Sequence, residues 1–164
     1  MRILGIDPGT ATTGYGILDI ENEEYNVVNF GCITTKAGLA LEVRLKEIAE
    51  DLDNLIKKFK PDYAAVEEIY FSKNVKTAID VAHARGVIIQ KLNENNVPLQ
   101  SYNPMQVKQA VCSDGKAKKP QIQKMVQILL DLENIPSPDD AADALAIAIC
   151  HSNCLSNKSL YSQV

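Results

Sequence analysis

The chain reads as an α/β fold built on a mixed five-stranded sheet, three antiparallel N-terminal strands plus two parallel ones, with helices on both faces. Three observations predict it. Residues 2–35 hold three strand-like apolar runs joined by short polar turns. The remainder alternates short apolar runs with long stretches of helical period, the pattern of strands linked by crossover helices. Of the 164 residues, 46% are hydrophobic and 23% charged, enough to bury one core and unlike a disordered or membrane-embedded chain.

The elements follow in order. Arg2 to Asp7 is an apolar run that ends in an acid and then Pro8-Gly9, a buried strand meeting a turn. Tyr15 to Ile20 and Tyr25 to Thr35 are the next two strands. Between Leu39 and Phe59, Leu41, Leu45, Ile48, Leu52, Leu55 and Ile56 recur at helical spacing with charges between them, an amphipathic helix stopped by Pro61. Tyr63 to Ile69 is a core strand. Val75 to Leu92 is a second long helix whose apolar side is rich in Ala and Gly, small enough for close packing within or between chains. Pro98 to Tyr102 is the fifth strand, and Asn103-Pro104 opens another helix. A polar loop, Ser113 to Lys119, leads to a helix over Pro120 to Leu132. The last helix spans Pro138 to about Cys154, with Ser137 as its cap and Pro138 as its first residue. Residues 1–155 therefore form one domain, and residues 156–164 are expected to be a frayed polar tail.

The N-terminus lacks the apolar core of a signal peptide. The longest apolar run, Ala141 to Cys150, is interrupted by Asp143 and too short to span a bilayer. A cytoplasmic protein without a membrane partner is expected. Cys32, Cys112, Cys150 and Cys154 form no CxxC pair and read as free thiols of a reducing compartment. Cys150, His151 and Cys154 fall near one helical turn and offer an alternative metal site, one ligand short of the usual structural zinc set.

Net charge is −4, the wrong sign for a nucleic-acid binder, but its distribution is uneven. From Pro104 to Lys124 the chain carries Lys108, Lys116, Lys118, Lys119 and Lys124 against Asp114 alone. From Val126 to Cys150 it carries Asp131, Glu133, Asp139, Asp140 and Asp143 and no cation. A basic segment beside an acidic one suits a site that holds phosphate and metal together, and equally two solvated faces of opposite sign.

The acids themselves are more specific. Asp139 and Asp140 lie in the first turn of a helix, where acids complement the dipole. Asp143 has no such reason, being surrounded by Ala141, Ala142, Ala144, Leu145, Ala146 and Ile147. A carboxylate on so apolar a helix is costly unless a cation or hydrogen bonds offset it. Asp140 and Asp143, three residues apart, share a face. Asp7 ends the first strand, where it also suits a turn. Glu67 and Glu68 fall within the fourth, and alternation allows only one of them to face inward. Hard oxygen donors from two strands and a helix are what Mg²⁺ takes, and paired cations serve phosphodiester cleavage.

Several motifs now fall in order along the chain: Ile3 to Thr10 with Thr13-Gly14-Tyr15-Gly16; Lys60-Pro61-Asp62-Tyr63 with Val66-Glu67-Glu68; Ser72-Lys73-Asn74; Ala84-Arg85-Gly86-Val87; Gln106 to Val111; and Asp140 to Ala148. The ordered set resembles the RuvC family of Holliday junction resolvases across residues 1 to about 151. The resemblance implies a ribonuclease-H-like fold and a homodimer that nicks two opposed strands of a four-way DNA junction in recombination and repair, leaving 5′-phosphate and 3′-hydroxyl ends. It implies Asp7, Glu67, Asp140 and Asp143 as ligands of two Mg²⁺ ions, with Mn²⁺ as a substitute and Asp7 touching both. Lys108 and Lys119 match basic positions near the scissile phosphate, with Lys119 catalytic. Tyr70 matches a base-stacking aromatic. Lys73, Lys76, Arg85, Lys116 and Lys118 complete the expected DNA contacts, and branch-migration proteins of the RuvA and RuvB type are the expected partners. The segment Ser113 to Pro120 is more charged than in many members, and Pro120 directly after Lys119 leaves open which of Lys118 and Lys119 meets the phosphate.

Three rivals remain at this level. Asp7-Pro8-Gly9-Thr10 also resembles the phosphate loop of actin-like ATPases, which need a second domain that this length does not accommodate. A junction-binding module without catalysis has no use for clustered acids. A related nuclease acting on RNA shares the same carboxylates.

Overall fold

Alternation along the first strand decides how the molecule is layered. In β1 (Arg2–Asp7), Leu4 and Ile6 point to one side of the sheet, and Ile3, Gly5 and Asp7 to the other. In the computed structural model, which describes residues 1–22, 24–69 and 75–161, the remaining strands are β2 (Thr12–Glu21), β3 (Glu24–Thr34), β4 (Tyr63–Glu67) and β5 (Leu99–Tyr102). They form a five-stranded sheet in the order β3-β2-β1-β4-β5. β1 pairs antiparallel with β2, and β2 with β3. β4 is parallel to β1, and β5 to β4. This is the mixed sheet that the order of elements predicts.

One face carries α1 (Leu41–Phe59) and α2 (Val75–Glu94). Ile48, Leu52 and Ile56 of α1 and Ala84, Ile88 and Leu92 of α2 bury against Leu4, Ile6, Ile17, Ala64 and Val66. Each fully buried Leu or Ile contributes about 1.5–3 kcal/mol. α1 ends where Lys60 turns left-handed (φ 50°) and returns its N–H to Ile56, just before Pro61. The other face carries α3 (Pro104–Cys112), α4 (Lys119–Leu129) and α5 (Asp139–Tyr161), packed over Ile3, Leu18 and Ala65. Asn103 caps α3 with a reciprocal pair of bonds, its side chain accepting from Gln106 N–H at 2.9 Å and its own N–H donating to Gln106 Oε1 at 2.9 Å.

α5 lies directly on the sheet because glycines clear its path. A Cβ on Gly5 would stand 2.1 Å from the carbonyl oxygen of Ala144, and one on Gly14 would stand 2.0 Å from that of Asp140. Backbone therefore rests on backbone where the helix crosses β1 and β2.

Most boundaries shift by a few residues from the sequence reading: β2 is longer at its start, β4 ends at Glu67 instead of Ile69, and three helix ends differ for visible reasons. α4 stops at Leu129 rather than Leu132, because Asp131 turns left-handed (φ 47°) and the Gln127 side chain donates to the carbonyls of Leu132 and Glu133 at 3.1 and 3.0 Å. α5 begins at Asp139, so Pro138 precedes the helix instead of opening it; its carbonyl accepts from Ala141 N–H at 3.0 Å. The expected polar tail is helical from Ser156 to Tyr161, since no Gly or Pro in that stretch ends the helix. Among the described residues no helix is long and apolar enough to cross a membrane.

Candidate active site

Two strand ends and one helix start meet at one end of the sheet. The register Ile6↔Val66 places Asp7 and Glu67 at adjacent strand ends, and alternation turns both toward the α5 face. Glu68 is exposed, which resolves the Glu67/Glu68 alternative in favour of Glu67. The seat of α5 on Gly14 brings Asp140 and, one turn on, Asp143 to the same end. The loop after Asp7 is tied down by side-chain bonds: Thr13 Oγ1 donates to the Gly9 carbonyl at 2.6 Å and Thr35 Oγ1 to that of Thr10 at 2.7 Å.

The electrostatics show how crowded the acids are. Burial, then the charges of Glu67, Asp143 and Asp140, push the Asp7 carboxyl up to about 8. Burial and Asp143 push Glu67 up to about 7, against the pull of Lys108 and Lys119. Asp143 is raised by burial despite its ion pair with Lys119. Lys119 Nζ stands 2.8 Å from Asp143 Oδ2 and 3.7 Å from Asp139 Oδ2. These acids outweigh the effect of burial and raise the lysine. A cavity of about 210 Å³ opens beside them, lined by Glu67, Lys108, Lys119 and Asp143 with Pro104 and Ile122.

The donor set is all carboxylate oxygen, suited to a hard divalent cation, and its mutual repulsion is what such a cation relieves. Among the described residues, no three His, Cys, Asp or Glu side chains close around a common point. Lys119 supplies the countercharge to Asp143 in this arrangement. The alternative ligands Cys150 and His151 are buried in the core, where Tyr102 Oη and His151 Nδ1 share a hydrogen bond of 2.8 Å.

Of the basic residues, the structure brings Lys119 rather than Lys118 to the acids. Lys119 is the first residue of α4, where Pro120 suits the first turn; Lys118 precedes the helix and is exposed. Lys108 of α3 is half-buried beside the same cavity, and Lys116 is exposed in the α3–α4 connection. Tyr70 and Lys73 lie outside the described residues, and Lys76 is in the first turn of α2. Arg85 turns inward: Nε donates to the Glu67 carbonyl at 3.0 Å and Nη2 to Ser101 Oγ at 2.7 Å. The sequence does not single out Ser101, and it marks Asp139 only as a first-turn acid, not as a partner of Lys119. Nothing marks Ser101 as a partner of Arg85, whereas Asp139, next to two expected ligands, could have been paired with a lysine.

Residues 3–151 match the family model for crossover junction endodeoxyribonuclease RuvC. The chain is 49% identical over 158 residues to the crossover junction endodeoxyribonuclease RuvC of Fusobacterium nucleatum, covering 96% of this chain and 83% of that one. It superposes on the Thermus thermophilus RuvC structure with a TM-score of 0.86 at 33% identity, covering 93% of each chain. A second structure, of T. thermophilus RuvC in complex with Holliday junction substrate, gives a TM-score of 0.84 at 31% identity, again over 93% of each. With the ribonuclease-H-like sheet, the acids at its end and this match over nearly the whole length, the chain belongs to the RuvC family of crossover junction endodeoxyribonucleases.

Proposed function

We propose that the protein nicks four-way DNA junctions as a homodimer, each subunit hydrolysing one phosphodiester in one of two opposed strands to leave a 5′-phosphate and a 3′-hydroxyl. The observation that carries this reading is that Glu67 and Asp143 line one cavity with Lys119 and Lys108, while Asp7 stands near enough for both acids to raise its carboxyl. Acids alone would repel DNA, and lysines alone would bind it without cutting.

Asp7, Glu67, Asp140 and Asp143 are the residues to hold two Mg²⁺ ions, or Mn²⁺ in their place. Bound there, the cations supply activation of the attacking water and stabilisation of the leaving oxygen. Lys119 and Lys108 present point charges to the scissile phosphate and steady the negative charge that builds on it. For Lys119 this role requires its Nζ to leave Asp143 Oδ2, 2.8 Å away, for the phosphate. Lys116 and Lys118, exposed in the connection that leads to Lys119, bind the flanking backbone, as do Lys73 and Lys76; each neutralised phosphate adds affinity that falls with salt. Tyr70 stacks on a base near the crossover. The dimer finds support in α2, where Ile79 is 48% exposed on a helix rich in small residues. A cytoplasmic location and partners of the RuvA and RuvB type complete the proposal.

The test is a nicking assay on a synthetic four-way junction and on linear duplex of the same sequence, in Mg²⁺ and in EDTA. Paired nicks in opposed strands should appear on the junction in Mg²⁺ alone. Equal cutting of the linear duplex, or cutting that persists in EDTA, overturns the reading.

A further inference from the structure

We propose that Arg85 is a positioning residue for the active site, holding the peptide of Glu67 so that its carboxylate faces Asp7, and that it is not a DNA contact. Hydrogen bonding at the end of β4 shows why the fold needs it. Ala64 and Glu68 donate their N–H groups toward β5, to Pro98 and Tyr102 at 2.8 Å each. Alternate residues of a strand turn their polar groups to opposite neighbours, so the Glu67 carbonyl faces β1. In the parallel register Ile6↔Val66, the residue due to donate there is Pro8, which has no N–H. The carbonyl of a catalytic strand end is thus left without a ladder partner.

Arg85 fills the gap from α2. Its Nε donates to that carbonyl at 3.0 Å, and Nη2 reaches Ser101 Oγ on β5 at 2.7 Å. One planar group therefore joins α2, β4 and β5 at the point where the chain leaves the sheet. A guanidinium can hold both bonds in a fixed geometry, and an ammonium cannot. These two nitrogens are engaged inside the chain and are not available to a phosphate.

This inference rests on the reading of Glu67 as a metal ligand, and its test separates the two. Arg85→Met and Arg85→Lys are compared with the unaltered full-length protein in three measurements: Mn²⁺ binding by calorimetry without DNA, junction binding in EDTA across a salt series, and the Mg²⁺ concentration for half-maximal nicking. Arg85→Met should bind Mn²⁺ roughly 10-fold more weakly and need correspondingly more Mg²⁺, while junction affinity and its salt slope stay unchanged. Arg85→Lys should fail to restore Mn²⁺ affinity although it keeps the charge. Should Arg85→Met not fold, Ser101→Ala, which removes one of the two bonds, is expected to shift the Mn²⁺ affinity in the same direction by a smaller factor. Wild-type Mn²⁺ affinity in the folded Arg85 variants, or in Ser101→Ala if those do not fold, overturns the proposal. So does a weakened junction affinity with a shallower salt slope in Arg85→Met, which makes Arg85 a phosphate contact. If the unaltered protein binds Mn²⁺ yet cuts no junction, the functional reading fails while the comparison of Mn²⁺ affinities still decides the role of Arg85.

Discussion

Replacing Asp7 by Asn should make the cation-free protein more stable while ending its ability to cut. Burial and three neighbouring acids hold the Asp7 carboxyl at about 8, against an ordinary value of 3.8. Between those values the folded protein carries a proton that the unfolded chain has lost. The unfolded state then binds fewer protons, so stability falls as pH rises through that window. At pH 7 the difference extends over roughly three pH units, and at about 1.4 kcal/mol each the loss is on the order of 4 kcal/mol as an upper bound. Asn keeps the shape and carries no charge, so the variant should regain on the order of 2–4 kcal/mol. In a chain of this size that is a rise in melting temperature of roughly 5–15 °C. The assay is thermal unfolding of both proteins in EDTA at pH 5, 7 and 8. The gain should be smallest at pH 5 and grow toward pH 8, and Mg²⁺ should narrow it by binding the unaltered site. An Asn variant that melts at or below the wild-type temperature at pH 7, or a gain indifferent to pH, would refute the claim that these acids are mutually strained.

Two further substitutions probe the same site. Lys119→Ala removes the cation 2.8 Å from Asp143; nicking should slow on the order of 100-fold while junction affinity changes far less, and an unchanged rate would make Lys119 an ordinary surface lysine. Gly14→Ala forces a Cβ to within 2.0 Å of the Asp140 carbonyl, so α5 must shift; about 1–3 kcal/mol of stability should be lost together with nicking, as unfolding in denaturant and the junction assay will read.

The sequence reveals this site unevenly, for physical reasons. Asp143 stands out because an acid among alanines and isoleucines needs an explanation wherever the helix packs. Asp7 is visible as an acid ending an apolar run and Glu67 as one inside an apolar strand, but the choice between Glu67 and Glu68 depends on which face α5 covers, which only the packed sheet decides. The mixed sheet follows from the order of elements because short turns force antiparallel neighbours and long helical crossovers permit parallel ones. Helix ends are read less well: Gln127 stops α4 by donating to carbonyls five and six residues ahead, a bond without a motif. Arg85 is the hardest case. Its main partner is a backbone carbonyl, which every residue has, and the need for it arises from Pro8, far away in the sequence.

The direct contact between α5 and the glycines of β1 and β2 has an implication for how such a protein can diverge. Half of the acids ride on the helix and half on the sheet. The distance between the halves is set where main-chain atoms touch, at Gly5 with Ala144 and Gly14 with Asp140. Substitutions elsewhere on this face, at Ile3, Leu18 or Leu145, act through side-chain packing, which adjusts in part, whereas a Cβ at Gly5 or Gly14 meets a carbonyl oxygen. Divergence of the interior is therefore least tolerated at these two glycines, where the spacing of the acids is set.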